Sequence, residues 1–240
     1  MKTEIHPAES RGHANHGWLQ SAHTFSFANY YNPKRMHFGA LRVLNDDRVA
    51  PGMGFGTHPH DNMEIISIPL SGTLAHKDSM GHQGYIQKGE IQVMSAGAGI
   101  RHSEMNGSRE EEVSFLQIWV MPNQKNVAPR YDQIRLDESE LKNNFVAVIG
   151  SAEQPAKTWI HQDVRFSLGY LDAGIIKTYN LSKKTNGVYI FMIEGDAEVA
   201  GENLSRRDGL AIVEADTINI LATSDARILI MDIPLQVSSF

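Results

Sequence analysis

Apolar residues in this chain come in short runs, many of them alternating with polar ones, and the runs are separated by glycine, proline, asparagine and aspartate. Residues 23–27, His-Thr-Phe-Ser-Phe, alternate polar and aromatic as a half-buried strand does. Strands are also predicted at 38–43, 73–78, 85–87 and 91–94, with Asn45-Asp46-Asp47 ending the one that starts at 38. Residues 113–121 form a nearly continuous apolar run stopped by Pro122 and read as a buried strand. Between these lie turn signals at 30–33, 71–72, 80–84, 88–90 and 95–99. Helical periodicity is almost absent; only Asp137-Glu138-Ser139-Glu140 predicts a solvated turn or a short helix. Many short strands at regular spacing predict an all-β chain of barrels or sandwiches.

The second half repeats the first in outline. Residues 188–196 mirror 65–73, and Asp208-Gly209 mirrors Lys88-Gly89. Residues 122–151 read as a connector, so two domains are expected, at 1–130 and 131–240.

Composition narrows the function. The 240 residues are 41% hydrophobic and carry a formal net charge of −6, which argues against direct nucleic-acid binding because phosphate contacts need a basic face. No apolar run nears the roughly 20 residues of a membrane helix. Met1 to Trp18 lacks the apolar core of a secretory leader, so a cytoplasmic location is expected. Without cysteine, any metal must be held by histidine, carboxylate or water, which suits Fe, Mn, Ni, Cu or Zn.

Histidine is placed unevenly: ten of the eleven precede Glu104, and only His161 follows it. Two clusters stand out, His58-Pro59-His60 and His102-Ser103-Glu104. On a strand, residues two apart share a face, so each cluster presents a pair of donors, and Glu64 extends the face of the first pair. Pro59 donates no ladder hydrogen bond and belongs at a strand start, an edge or a bulge. Two such pairs about forty residues apart, each beside a Gly-rich turn, predict one metal ion in the mouth of a barrel. Three imidazoles and one carboxylate, with Glu64 and Glu104 both available, leave coordination positions open, as catalytic rather than structural sites do. His13, His16 and His23 are read as structural. The glycines at 52, 54 and 56 lack the strand and helix that a nucleotide loop requires. With Gly72 aligned on Gly195, the counterparts of His58, His60 and Glu64 are Leu181, Lys183 and Gly187, so the second unit has no site.

These residues resemble a known family. Gly52, His58, His60, Glu64 and Gly72 resemble the first cupin motif, and Gly89, Gly97, His102 and Asn106 the second. Thr57-His58-Pro59-His60, the run from Ser95 to Glu104, the stretch from Arg11-Gly12-His13 to Tyr31, and Gln117-Ile118-Trp119 resemble the pirin family, closest to bacterial pirin-like quercetin 2,3-dioxygenases. The resemblance implies a bicupin: two double-stranded β-helix (jelly-roll) barrels packed together, one Fe(II) in the first and no metal ligands in the second. Other divalent ions (Zn, Ni, Mn, Cu, Co) suit the same donors. By motif position the ligands would be His58, His60, His102 and Glu104. The His-Ser-Glu form is the pirin feature, which leaves Glu64 as a hydrogen-bond acceptor behind the ligands. The implied reaction is cleavage of a flavonol by O2 with release of carbon monoxide, Glu104 taking the 3-hydroxyl proton. Phe25, Phe27 and Phe55 would supply an apolar wall. The family also contains iron-dependent regulators that bind protein partners, and the same four ligands would serve that role. A monomer is expected.

Overall fold

The computed structural model describes residues 1–154 and 156–237. Its strands form four sheets, and all strand pairs but one are antiparallel among these residues. In the N-terminal half a seven-stranded sheet runs in the order Arg130–Arg135, Glu90–Ser95, Glu64–Ser71, Val113–Val120, Leu41–Val49, Leu19–His23, Gly12–Asn15. A four-stranded sheet, Gly54–His60, Ile100–Asn106, Thr73–Asp78, Gln83–Gln87, closes it into a barrel. The C-terminal half repeats the plan. Seven strands run in the order Lys2–His6, Gly209–Val213, Asn186–Glu194, Ala226–Pro234, Arg165–Leu171, Phe145–Gly150, Thr158–Trp159, and four as Ile176–Asn180, Thr217–Ala222, Ala197–Val199, Glu202–Leu204. The repeat extends to the turns. Gly72 (φ 71°) and Gly195 (φ 76°) occupy matching left-handed positions, where a Cβ would collide with the carbonyls of Glu112 and Asp225.

The two large sheets pack against each other, which explains their nearly unbroken apolar runs. Along Asn186–Glu194, Tyr189, Phe191 and Ile193 enter a core shared by both barrels, while Val188, Ile190 and Met192 fill the second barrel. Ile66, Ile68, Leu116 and Ile118 meet that shared core from the first barrel. Each such side chain contributes about 1.5–3 kcal/mol on burial, so the barrels form a two-domain unit joined by a hydrophobic interface rather than a tether.

The interiors differ. The second barrel is filled mainly by apolar residues such as Leu210, Ile218 and Ile230, with the buried Asp232 carboxylate held by Tyr179 and Asn186. The first carries buried Asn45, Asp47, Ser67, Gln92, Glu104 and Gln117. This inverts the expected pattern on one strand: Asn45-Asp46-Asp47 does not end it, and Leu41–Val49 runs through with alternate residues buried. Asp46 points the other way and accepts from Arg207 Nε at 2.7 Å, which ties the barrels together.

Sheet membership crosses the 130/131 division expected from sequence. Lys2–His6 pairs with Gly209–Val213 of the second barrel, and Arg130–Arg135 pairs with Glu90–Ser95 of the first. The segment read as a connector therefore holds strands, and its acidic stretch is a one-turn helix, Glu138–Leu141, capped by the Asp137 side chain on Ser139 N–H.

Candidate metal centre

His58 and His60 lie on Gly54–His60, an edge strand of the four-stranded sheet, where Pro59 costs little. His102 and Glu104 lie on the adjacent strand Ile100–Asn106, with His102 directly opposite His58. A register shift between His102 and Glu104 sets Glu104 opposite Phe55 instead of the next residue in step. The three imidazoles converge. Ring centroids are 4.8 Å apart for His58–His60, 4.5 Å for His58–His102 and 5.0 Å for His60–His102. One ring nitrogen from each lies within 4.8 Å of the other two.

Each ring is prepared to bind through a lone pair. His58 Nδ1 sits 2.7 Å from the Gly56 carbonyl, which only accepts, so Nδ1 carries the proton and Nε2 is free. His60 Nε2 is buried without a protein partner. Burial, then His102 and His58, push His60 down to about 4. Burial, then His58 and His76, push His102 down to about 3. Both rings are neutral at pH 7, the form that ligates. Three converging imidazoles, with His60 and His102 each carrying a buried nitrogen that has no protein partner, fit a divalent transition metal.

Glu104 stands outside the 4.8 Å set but lines the same cavity. Its Oε1 accepts from Ser67 Oγ at 2.7 Å and its Oε2 from Gln117 Nε2 at 2.6 Å. These two bonds lock the rotamer and leave acceptor capacity on both oxygens. The cavity holds about 210 Å³. Its apolar side is Phe27, Phe55, Ile65 and Trp119, with Trp119 edge-on to both His60 (5.0 Å) and Phe27 (5.3 Å).

Three expectations are corrected. Glu64 does not share a face with His58 and His60. Asn62 (φ 45°) turns the chain between them, and Glu64 begins a strand of the other sheet. There it accepts from Ser95 Oγ at 2.6 Å, away from the cavity lining. Phe25 lies in the core between the barrels, against His6 and Tyr189, so the wall is Phe27 and Phe55 without it. The third is Asn45 and Asp47, which line the cavity although the sequence reading made them a strand break. Asn45 and Asp47 fall between Val43 and Val49 at every second position of the same strand, and this was the available signal. Ser67 carries no motif that announces a role, and the Gln117-Ile118-Trp119 run, though part of the family resemblance, was given no role at the site. His13, His16 and His23 stay outside the cavity, and His23 packs on Phe27 and Tyr30.

The family model described as Pirin matches residues 4–120, and that described as Quercetinase C-terminal cupin domain matches 148–233. A quercetin 2,3-dioxygenase from Escherichia coli (strain K12) is 44% identical over 230 residues, 96% of this chain and 98% of that protein. A pirin-like protein from Caulobacter vibrioides is 40% identical over 227 residues, 94% of this chain and 97% of that protein. Among solved structures, a bacterial pirin from Escherichia coli in complex with nickel(II) superimposes with a TM-score of 0.92 at 42% identity, covering 98% of this chain and 100% of that one.

Proposed function

The chain belongs to the pirin family, and on that premise we propose that it is a metal-dependent dioxygenase that cleaves flavonols such as quercetin with O2. The observation that carries the reading is the meeting of three imidazoles, a fixed carboxylate and an aromatic wall in one cavity. The relatives named as quercetin 2,3-dioxygenases support the same reaction class.

His58, His60 and His102 would hold the ion, with Glu104 as fourth donor. Fe(II) is the proposed occupant, and Ni(II), which a relative binds, is its competitor. When bound, the ion supplies Lewis-acid charge and open coordination positions for substrate and O2.

The protein's own groups do the rest. Glu104 takes the proton of the flavonol 3-hydroxyl as general base. Ser67 and Gln117 hold that carboxylate in one orientation, so no rotamer search precedes proton transfer. Phe27, Phe55 and Trp119 flank the flat ring system and exclude water from it. A cavity of about 210 Å³ is smaller than most ligand sites (roughly 300–1,000 Å³), so the flavonol would enter by one edge with the remainder outside. The balanced outcome is loss of one ring carbon as carbon monoxide, with both atoms of O2 retained in a phenolic ester.

The test is oxygen consumption with quercetin by protein reconstituted anaerobically with Fe(II), beside metal-stripped protein. Uptake that follows iron content supports the proposal. No uptake by protein carrying one iron per chain refutes it and turns the search to a protein partner that reads the metal state.

A further inference from the structure

We propose that Asn45 and Asp47 form a specificity subsite that accepts a substrate hydroxyl other than the one taken by Glu104. The inference rests on the flavonol reading and says which flavonols the cavity prefers.

Both residues are almost fully buried, with 2% and 3% relative exposure, and both line the cavity that holds the three imidazoles. Asn45 lies opposite Gln117 on the neighbouring strand, and Gln117 donates to Glu104. Glu104, Gln117 and Asn45 thus follow one another across the cavity floor, and Asp47 lies one step further along the same strand face. The Ser21 hydroxyl donates to Asp47 Oδ1 and fixes that carboxyl. Asn45 Oδ1 is buried and has no protein partner.

The second barrel fills most of its interior with isoleucine, leucine and valine, and its buried carboxylate, Asp232, is taken up by Tyr179 and Asn186, whereas Asn45 Oδ1 has no such protein partner. An isolated buried carboxyl is costly: burial, against the Ser21 hydrogen bond and with Asp46 and Glu104 adding repulsion, pushes Asp47 up to about 7. In the lining of an aromatic-walled cavity, Asn45 Oδ1 is an acceptor without a donor, and the Asp47 carboxyl beside it has an oxygen beyond the one that Ser21 occupies. Phenolic hydroxyls are such donors. A site built to hydrogen-bond a hydroxyl discriminates strongly against the analogue that lacks it, because its own polar groups are then left unpaired.

The test compares quercetin, with hydroxyls on both outer rings, with 3-hydroxyflavone, which carries only the chelating pair. Iron-loaded wild type and the variants Asn45→Leu, Asp47→Leu and Asp47→Asn are measured for kcat/KM. Anaerobic Kd values come from absorbance titration, and metal content is determined for each protein. Asp47→Asn keeps the shape of the side chain should Asp47→Leu fail to fold. Wild type is expected to favour quercetin by about tenfold or more, the value of one hydrogen bond. Each Leu variant should lose quercetin binding and turnover about tenfold more steeply than those of 3-hydroxyflavone, and Asp47→Asn should lose less. A wild type indifferent to the outer hydroxyls overturns the subsite. So do folded, metal-loaded variants that lose both substrates in parallel, the mark of a structural role. If iron-loaded wild type neither binds nor cleaves either flavonol, the flavonol reading itself fails and the subsite falls with it.

Discussion

Replacing Glu64 by glutamine separates the two glutamates that the sequence offers as metal ligands. Glu64 is 1% exposed and accepts from Ser95 Oγ. Burial pushes its carboxyl from 4.5 up to about 7, against the lowering influence of Ser95, the His161 main chain and Arg130. With the folded value raised, the carboxyl's contribution to stability is complete below the unfolded value. It declines as pH rises from about 4.5 to about 7, because only the unfolded chain ionises in that window. Above pH 7 it is gone. The span is worth about 3 kcal/mol. Glu64→Gln lacks this dependence. Its stability relative to wild type should therefore improve by ~3 kcal/mol between about pH 4.5 and pH 8, about 6–12 °C in Tm for a chain of this size. Any fixed cost of the amide against Ser95 shifts both ends equally. The assay is urea denaturation of metal-free wild type and variant across that range, with metal content of the loaded proteins measured in parallel. The variant should keep its metal. Parallel stability profiles refute the burial argument, and loss of the ion would place Glu64 at the metal.

Three further substitutions probe other parts of the structure. His60→Ala should abolish stoichiometric metal binding, read by elemental analysis, and leave the circular dichroism of a folded barrel; a variant that still binds one tight ion refutes the three-imidazole site. Glu104→Gln should lower kcat by about 10²–10⁴ as a lost general base does, measured by oxygen uptake at matched metal content, and near-normal turnover would remove Glu104 from the mechanism. Arg207→Met strands Asp46, whose next cation, Arg11, stands at 3.7 Å, so unfolding free energy should drop by ~3 kcal/mol, in the range for breaking a buried pair; a change below about 1 kcal/mol would make that inter-barrel pair no stronger than a surface one.

Much of the fold was legible because a strand pattern has period two and most strands here keep one consistent face. Gly72 and Gly195 marked the duplication because each sits at a left-handed turn against a neighbouring carbonyl, where a side chain does not fit. The imidazole cluster was legible for a similar reason: His-x-His on a strand fixes a common face without any tertiary knowledge. The failures have physical causes too. Asn62 redirects the chain between His60 and Glu64, and no local periodicity reports the change of sheet. Asn45 and Asp47 looked like a break because polar residues usually face water, whereas this barrel's interior is a polar-ended cavity. Phe25 lies at a bend just past the strand Leu19–His23 rather than on the strand predicted at 23–27, so the alternation there did not report which side faces the ligand. The pairing of Lys2–His6 with Gly209–Val213 spans nearly the whole chain, beyond any sequence window.

Metal-dependent ring cleavage is tested most directly by carbon monoxide. Protein reconstituted with Fe(II) is given quercetin and O2 in a sealed vessel, and carbon monoxide is quantified against O2 consumed, with His58→Ala as control. Equimolar carbon monoxide and O2 from wild type and none from His58→Ala is the expected result. Loss of quercetin without carbon monoxide, or equal release from the variant, would contradict it.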